Sequence, residues 1–214
     1  MQKVQNVTLT KAFYMGLFEV TQKQWILVTG ANTSGLFSYG AGDTYPVYYF
    51  RYSDIRGNSN GAKWPSSAAV DSSSFLGKLQ ARTGMKFDLP TEAQWEYACR
   101  AGTTTTYSYG DSENGNYMWY SGNAGIRTHP VGGKLANPWG FYDMHGNVTE
   151  WCLDWSGTLT YGTDPKGASS GTSRIARGGN FGDRAANNTS SARRALAPTH
   201  NDGNLGFRLS LPAK

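Results

Sequence analysis

Only two cysteines, Cys99 and Cys152, occur in 214 residues, and neither has a His or a second Cys at metal-site spacing. That excludes a disulfide-stapled scaffold and a Cys/His zinc site, and makes buried small side chains the expected role. A Cys99–Cys152 bridge stays open, requiring Cα atoms within about 7 Å. Charge is also scarce, at 16% Asp, Glu, Lys and Arg. No run approaches the roughly 18–20 apolar residues of a membrane span, and Met1-Gln2-Lys3-Val4 opens no signal-peptide pattern. A soluble chain is expected, although a removed secretion or lipoprotein signal would leave its location open. Dense basic runs are missing too. The net charge of +5 and pI near 9.2 come from twenty scattered Lys and Arg, which read as a solvated surface and exclude a nucleic-acid groove. With no internal repeat or linker, residues 1–214 are expected to form one domain.

What is abundant is aromatic and glycine. Seven Trp, thirteen Tyr and nine Phe supply a core, while twenty-seven Gly imply extensive ordered loop. Val4 to Phe13 alternates partially and predicts a strand. Thr21 with Gln24 forms a capping-box pattern for a short helix ending before Gly30, with Trp25 and Val28 on its apolar face. Gly30 to Gly61 reads as long loops around the extended run 45–50. Asp71 to Thr83 carries Phe75, Leu76 and Leu79 at helical spacing and ends at Gly84, a left-handed cap. Thr91 to Gln94 repeats the capping box, with Trp95, Ala98 and Cys99 on one face behind it. Beyond Gly102 only strand and loop are expected. The class is therefore α+β. Trp95, Trp139, Trp151, Trp155 and Phe207, each close to glycines, read as scaffold, and Arg208 as a guanidinium turned from the core toward Glu96 or Asp154.

Four segments carry a family resemblance: Phe18-Glu19-Val20-Thr21; Asp88-Leu89-Pro90-Thr91-Glu92-Ala93-Gln94-Trp95-Glu96-Tyr97-Ala98; the run from Asn137 to Cys152, which includes Gly146-Asn147-Val148-Thr149-Glu150-Trp151; and Arg177-Gly178-Gly179 with Leu205-Gly206-Phe207-Arg208-Leu209. From about Val4 to Leu209 the chain resembles the formylglycine-generating-enzyme type of C-type-lectin-like domain. That implies short helices around small antiparallel sheets. In the enzyme branch, oxidation of a substrate cysteine depends on a cysteine pair soon after Arg-Gly-Gly, where this chain has no sulfur. An oxidoreductase with altered or lost catalysis is the alternative reading. Another branch adds an iron-binding helical domain, but His129, His145 and His200 lack ligand-like spacing. No Gly-x-Ser-x-Gly elbow supports a hydrolase, and His145 reads as a structural histidine. The resemblance also implies calcium held by Asp143, Gly146, Val148 and Glu150. A tight turn at Gly146, capped by Asp143, explains the same residues.

Between the fixed ends lie twenty-five residues, Asn180 to Asn204, without Lys, Glu, Gln, Met or Trp. The preceding 179 residues hold 31 of these types, so such a blank run arises roughly one time in a hundred under uniform composition. The five missing types are those that no codon ending in C or T encodes. The tract resembles the variable regions that diversity-generating retroelements leave, in which template adenines are randomised and AAC codons diversify. Asn187, Asn188, Asn201 and Asn204 would then be unaltered positions, and Ala185, Arg193 and Pro198 anchors. The resemblance implies a bacterial surface or extracellular variable protein, monomeric, with a macromolecular ligand, protein or glycan. An ordinary polar loop, or a fixed lectin-like module, remains the plainer alternative. Candidate contacts are Gly182, Asp183, Arg184, Ala186, Asn187, Arg194, Leu196, His200, Asp202 and Asn204, a mixture of apolar, hydrogen-bonding and charged groups.

Overall fold

A computed structural model describes residues 6–31, 37–159 and 161–213. Its helices sit in the first half of the chain: α1 (Gln22–Thr29), α2 (Tyr52–Arg56), α3 (Phe75–Thr83) and α4 (Glu92–Arg100). Both capping boxes form, at Thr21 with Gln24 and at Thr91 with Gln94, so the first amides of α1 and α4 are satisfied by side chains. Gly30 and Gly84 take left-handed φ of 72° and 69° and close α1 and α3. Helix α3 begins at Phe75 behind the Ser74 cap, four residues later than the sequence signal at Asp71. The short α2 lies inside the stretch expected to be loop.

The strands are β1 (Val7–Thr8), β2 (Phe13–Met15), β3 (Thr149–Trp155), β4 (Gly162–Thr163), β5 (Arg174–Arg177), β6 (Arg193–Leu196), β7 (Leu205–Gly206) and β8 (Ser210–Pro212). The single strand expected over Val4 to Phe13 is two separate pieces, β1 on β4 and β2 on β8; the start of that span lies outside the described residues. The main sheet runs β6-β5-β3-β7. Its β3–β5 and β5–β6 pairs are antiparallel, whereas β3–β7 and the small β1–β4 pair are parallel. A single-turn 3-10 helix, Ala185–Asn187, also falls where only strand and loop were expected.

Aromatic rings tie helices to sheet. Trp25 of α1 stacks on Phe50 and Phe75 and meets Phe207 edge-on, joining α1 and α3 to the residue after β7. Trp151 and Trp95 are fully buried. Trp139, expected in the scaffold, is instead 44% exposed and packs edge-on against Tyr97. Four arginines, Arg56, Arg174, Arg177 and Arg208, are buried as completely as the core rings. A core short of regular secondary structure leaves many carbonyls without ladder partners, and these guanidiniums supply the donors: Arg174 reaches the carbonyls of Leu153 and Ala62, and Arg208 those of Gly16 and Tyr142.

Candidate ligand-binding face

Strand β5 ends in Gly178-Gly179, where the chain turns sharply into the 180–204 tract. Gly179 has a φ of 67°, and a Cβ there would overlap the side-chain oxygen of Asn188, so only glycine admits this close approach. Asn188 is fully buried. Its Oδ1 accepts the Asn180 amide at 3.1 Å, and its backbone carbonyl accepts His145 Nδ1 at 2.7 Å. Asn180, buried as well, donates through Nδ2 to Thr149 Oγ1 at 3.1 Å. Because Nδ1 donates to a carbonyl, Nε2 is left to accept from the Ser108 amide at 3.2 Å. Burial lowers His145 to about 4, so the ring is neutral and structural.

Further along, Ala185 is buried against Tyr107 and Met118. Arg193 forks onto Glu92 in the first turn of α4, with Nε and one terminal nitrogen each 2.8 Å from a carboxylate oxygen. Arg177 of β5 completes the frame: it pairs with Glu96, donates to the Ala192 carbonyl at 2.6 Å, and holds its Nε 3.3 Å from Glu92 at ion-pair rather than hydrogen-bond geometry. Two α4 carboxylates four residues apart thus fasten both β5 and β6. Ala185 and Arg193 face the frame as expected.

Phe181 and Ser190 are buried as well, but several of the remaining side chains face outward. Gly182, Arg184, Ala186 and Asn187 are exposed, while Arg194 is partly covered and paired with Asp183. Ala186, Asn187, Thr189, Ser191 and Arg194 line a polar groove of about 420 Å³ over Gly179, and Arg193 borders it as well. Three of the expected contacts thus meet in one concavity, together with Thr189 and Ser191, which the sequence reading missed because nothing in their type or spacing distinguishes them. His200 and Asp202 form a separate exposed patch, with the Tyr49 amide donating to the Asp202 carbonyl at 3.0 Å. Gly203 lies directly under the Tyr39 ring, so the first-half loop walls this end of the tract. Leu196 packs partly against the core, and the Asn204 carbonyl accepts the Thr149 amide at 2.8 Å.

Arg208 is fully buried and forks onto Glu150, not Glu96 or Asp154, with both contacts at 2.6 Å. Its side chain points into the core because the β3–β7 register sets Gly206 beside Glu150 and brings Arg208 to the same carboxylate. Glu150 also accepts Trp95 Nε1 at 2.7 Å, so no oxygen of it is left open. Asp143 accepts the Gly132 amide at 2.7 Å through Oδ2, while Oδ1 is buried with no partner; burial raises Asp143 to about 6. Glu19, beside them, is raised by burial and by the charges of Asp143 and Glu150. These residues do not fit a calcium shell. One open carboxylate oxygen and the carbonyls of Gly146 and Val148 fall short of about six to eight ligands, and among the described residues no set of three His, Cys, Asp or Glu is placed to hold a metal. Cys99 and Cys152 are unbridged, and burial pushes the Cys99 thiol up to about 12 and Cys152 upward too, which disfavours the thiolate.

Short helices on small sheets, the Arg208–Glu150 pair and the glycine-turned tract define a lectin-like fold of one particular kind. The chain belongs to the sulfatase-modifying factor enzyme 1-like domain family, matched over residues 2–212. It is 33% identical over 186 residues to the chaperone protein LppX of Paenibacillus barcinonensis, covering 70% of this chain and 64% of that protein. It is 35% identical over 141 residues to the formylglycine-generating enzyme of Streptomyces coelicolor, covering 56% and 45% respectively. The chain therefore spans less than two thirds of these curated relatives. Among solved structures it is similar to Treponema denticola variable protein 1, with a TM-score of 0.80, 28% identity, and coverage of 97% of this chain and 86% of that one. No helix among the described residues is long and apolar enough to cross a membrane.

Proposed function

We propose that this domain is a ligand-binding variable protein whose 180–204 face is diversified by a retroelement, displayed at a bacterial surface or outside the cell. One observation carries the reading: Asn180, Asn188 and Arg193 are tied to the scaffold by hydrogen bonds and an ion pair, while Ala186, Asn187 and Arg194 line an open polar groove. A rigid frame under exchangeable contacts lets residues change without loss of the core. The overall likeness to a variable protein supports the same reading. Asp183, Asn187, Arg194 and their neighbours offer hydrogen-bonding and charged contacts to a protein or glycan ligand.

Thiol oxidation has no group to carry it in this tract, which contains no cysteine. The two buried thiols elsewhere lie in core packing. A catalytic role is therefore the weaker reading despite the kinship with formylglycine-generating enzymes. Sequencing the DNA around the gene tests the proposal. A near-copy of the codons for residues 180–204, differing only at template adenines, is the expected result. Mismatches at other template bases, or no such copy, would remove the diversification claim.

A further inference from the structure

A second groove, also of about 420 Å³, shares no residue with the 180–204 tract. Its floor is Leu89 and Leu153, both buried, and its walls include Phe13, Trp64 and Pro212. Apart from two lysines, the polar side chains of the wall are already engaged by the protein. Asp88 is forked by Arg56 at 2.7 Å on each oxygen, and the Gln80 amide donates to the Phe87 carbonyl at 2.8 Å. Thr91 and Gln94 satisfy one another in the α4 capping box, and the Ser210 hydroxyl donates to the Leu89 carbonyl at 3.0 Å. What remains for an occupant is apolar surface and two ammonium groups, Lys11 and Lys86, both on exposed residues. Neither makes an ion pair among the described residues, although Asp164 lies close enough to Lys11 to feel its charge.

We propose that this groove binds a long-chain carboxylate, its chain laid along Phe13, Trp64, Leu89 and Leu153 and its carboxylate held by Lys86 and Lys11. Charge complementarity selects this occupant. An anionic head group is attracted by the two ammonium groups and a cationic one repelled, while a polar ligand would find the wall's hydrogen bonds taken. The volume falls within the about 300–1,000 Å³ of small-molecule sites. The groove stands independently of the variable face, so failure here leaves the proposed function untouched.

Titration calorimetry of the whole chain with decanoate, acetate and decyltrimethylammonium tests the site. Decanoate should bind saturably at one site, acetate should give no saturable heat, and the cationic amphiphile should bind about tenfold or more weakly. The double variant Lys11→Glu/Lys86→Glu should lose about tenfold in decanoate affinity with an unchanged melting temperature. Ala69→Trp, which fills the groove from its exposed wall, should abolish binding on its own. No saturable binding of decanoate, equal binding of the cationic amphiphile, or indifference to these substitutions would overturn the proposal. So would saturable binding of an apolar peptide with a free C-terminal carboxylate in the absence of decanoate binding, which would assign the groove to a protein segment.

Discussion

Asn188 is buried and uses its amide on Asn180, whereas Asn187, one residue earlier, projects into the groove. The same contrast separates Arg193, forked onto Glu92, from Arg184, which is exposed and makes no ion pair among the described residues. Identical residue types within one tract therefore have opposite roles, set by which side of the chain they occupy. A buried amide must keep its partners, because leaving a polar group unsatisfied costs about 1–3 kcal/mol. An exposed one is solvated either way. The inner side of the tract belongs to the scaffold, and the outer side is where sequence can change cheaply.

Substitutions sharpen this division, beginning with the scaffold. Arg208→Ala should have the largest effect, about 3–5 kcal/mol, since it strands the buried Glu150 beside Glu19 and Asp143. Urea unfolding at neutral pH measures it, and a loss under 1 kcal/mol would mean that the cluster is not held by that pair. Asn188→Ala should lose about 1–3 kcal/mol, against almost nothing for Asn187→Ala. Equal losses at the two neighbours would dissolve the inner–outer contrast.

Smaller effects come from titration and metal. Burial holds Asp154 up to about 7 against an ordinary 3.8, so the folded chain keeps a proton that the unfolded chain has released. The stability this provides is lost as pH rises through the folded value. His145 acts in the opposite sense, its contribution being lost as pH falls from 6.5 toward about 4. From about pH 6.5 to 8 the melting temperature should therefore fall, and Asp154→Asn, which can still accept the Glu92 amide, should flatten that fall. An unchanged slope would contradict the assignment. Smallest of all is the effect of chelation: with Glu150 closed by Arg208, EDTA or added calcium should leave the melting temperature unchanged, and a clear calcium-dependent rise would restore the metal reading.

Much of the frame was legible in the residues because its signals are local. The capping boxes at Thr21 and Thr91 and the terminal glycines at Gly30 and Gly84 act within one turn, and each helix forms where they stand. The α2 helix was not legible, since its capping interactions run between Arg51 and Asp54 and only five residues follow the cap. Long-range partners escaped for a different reason. Whether Arg208 meets Glu96, Asp154 or Glu150 depends on strand register, which no local pattern encodes. The tract's limits were readable from the Arg177-Gly178-Gly179 and Leu205-Gly206-Phe207-Arg208-Leu209 segments that flank it, yet its inner and outer sides were not, because burial of Asn188 and exposure of Asn187 follow from a turn at Gly179 and a 3-10 helix too short to show a period.

The most direct measurement randomises every codon from 180 to 204, sorts the displayed proteins for folding, and sequences the survivors. Free exchange is expected at Arg184, Ala186, Asn187, His200 and Asn201, with near-invariance at Asn180, Ala185, Asn188, Arg193 and Gly203. Uniform tolerance across the tract, or intolerance at the outward positions, would contradict the account of a fixed frame beneath a rewritable face.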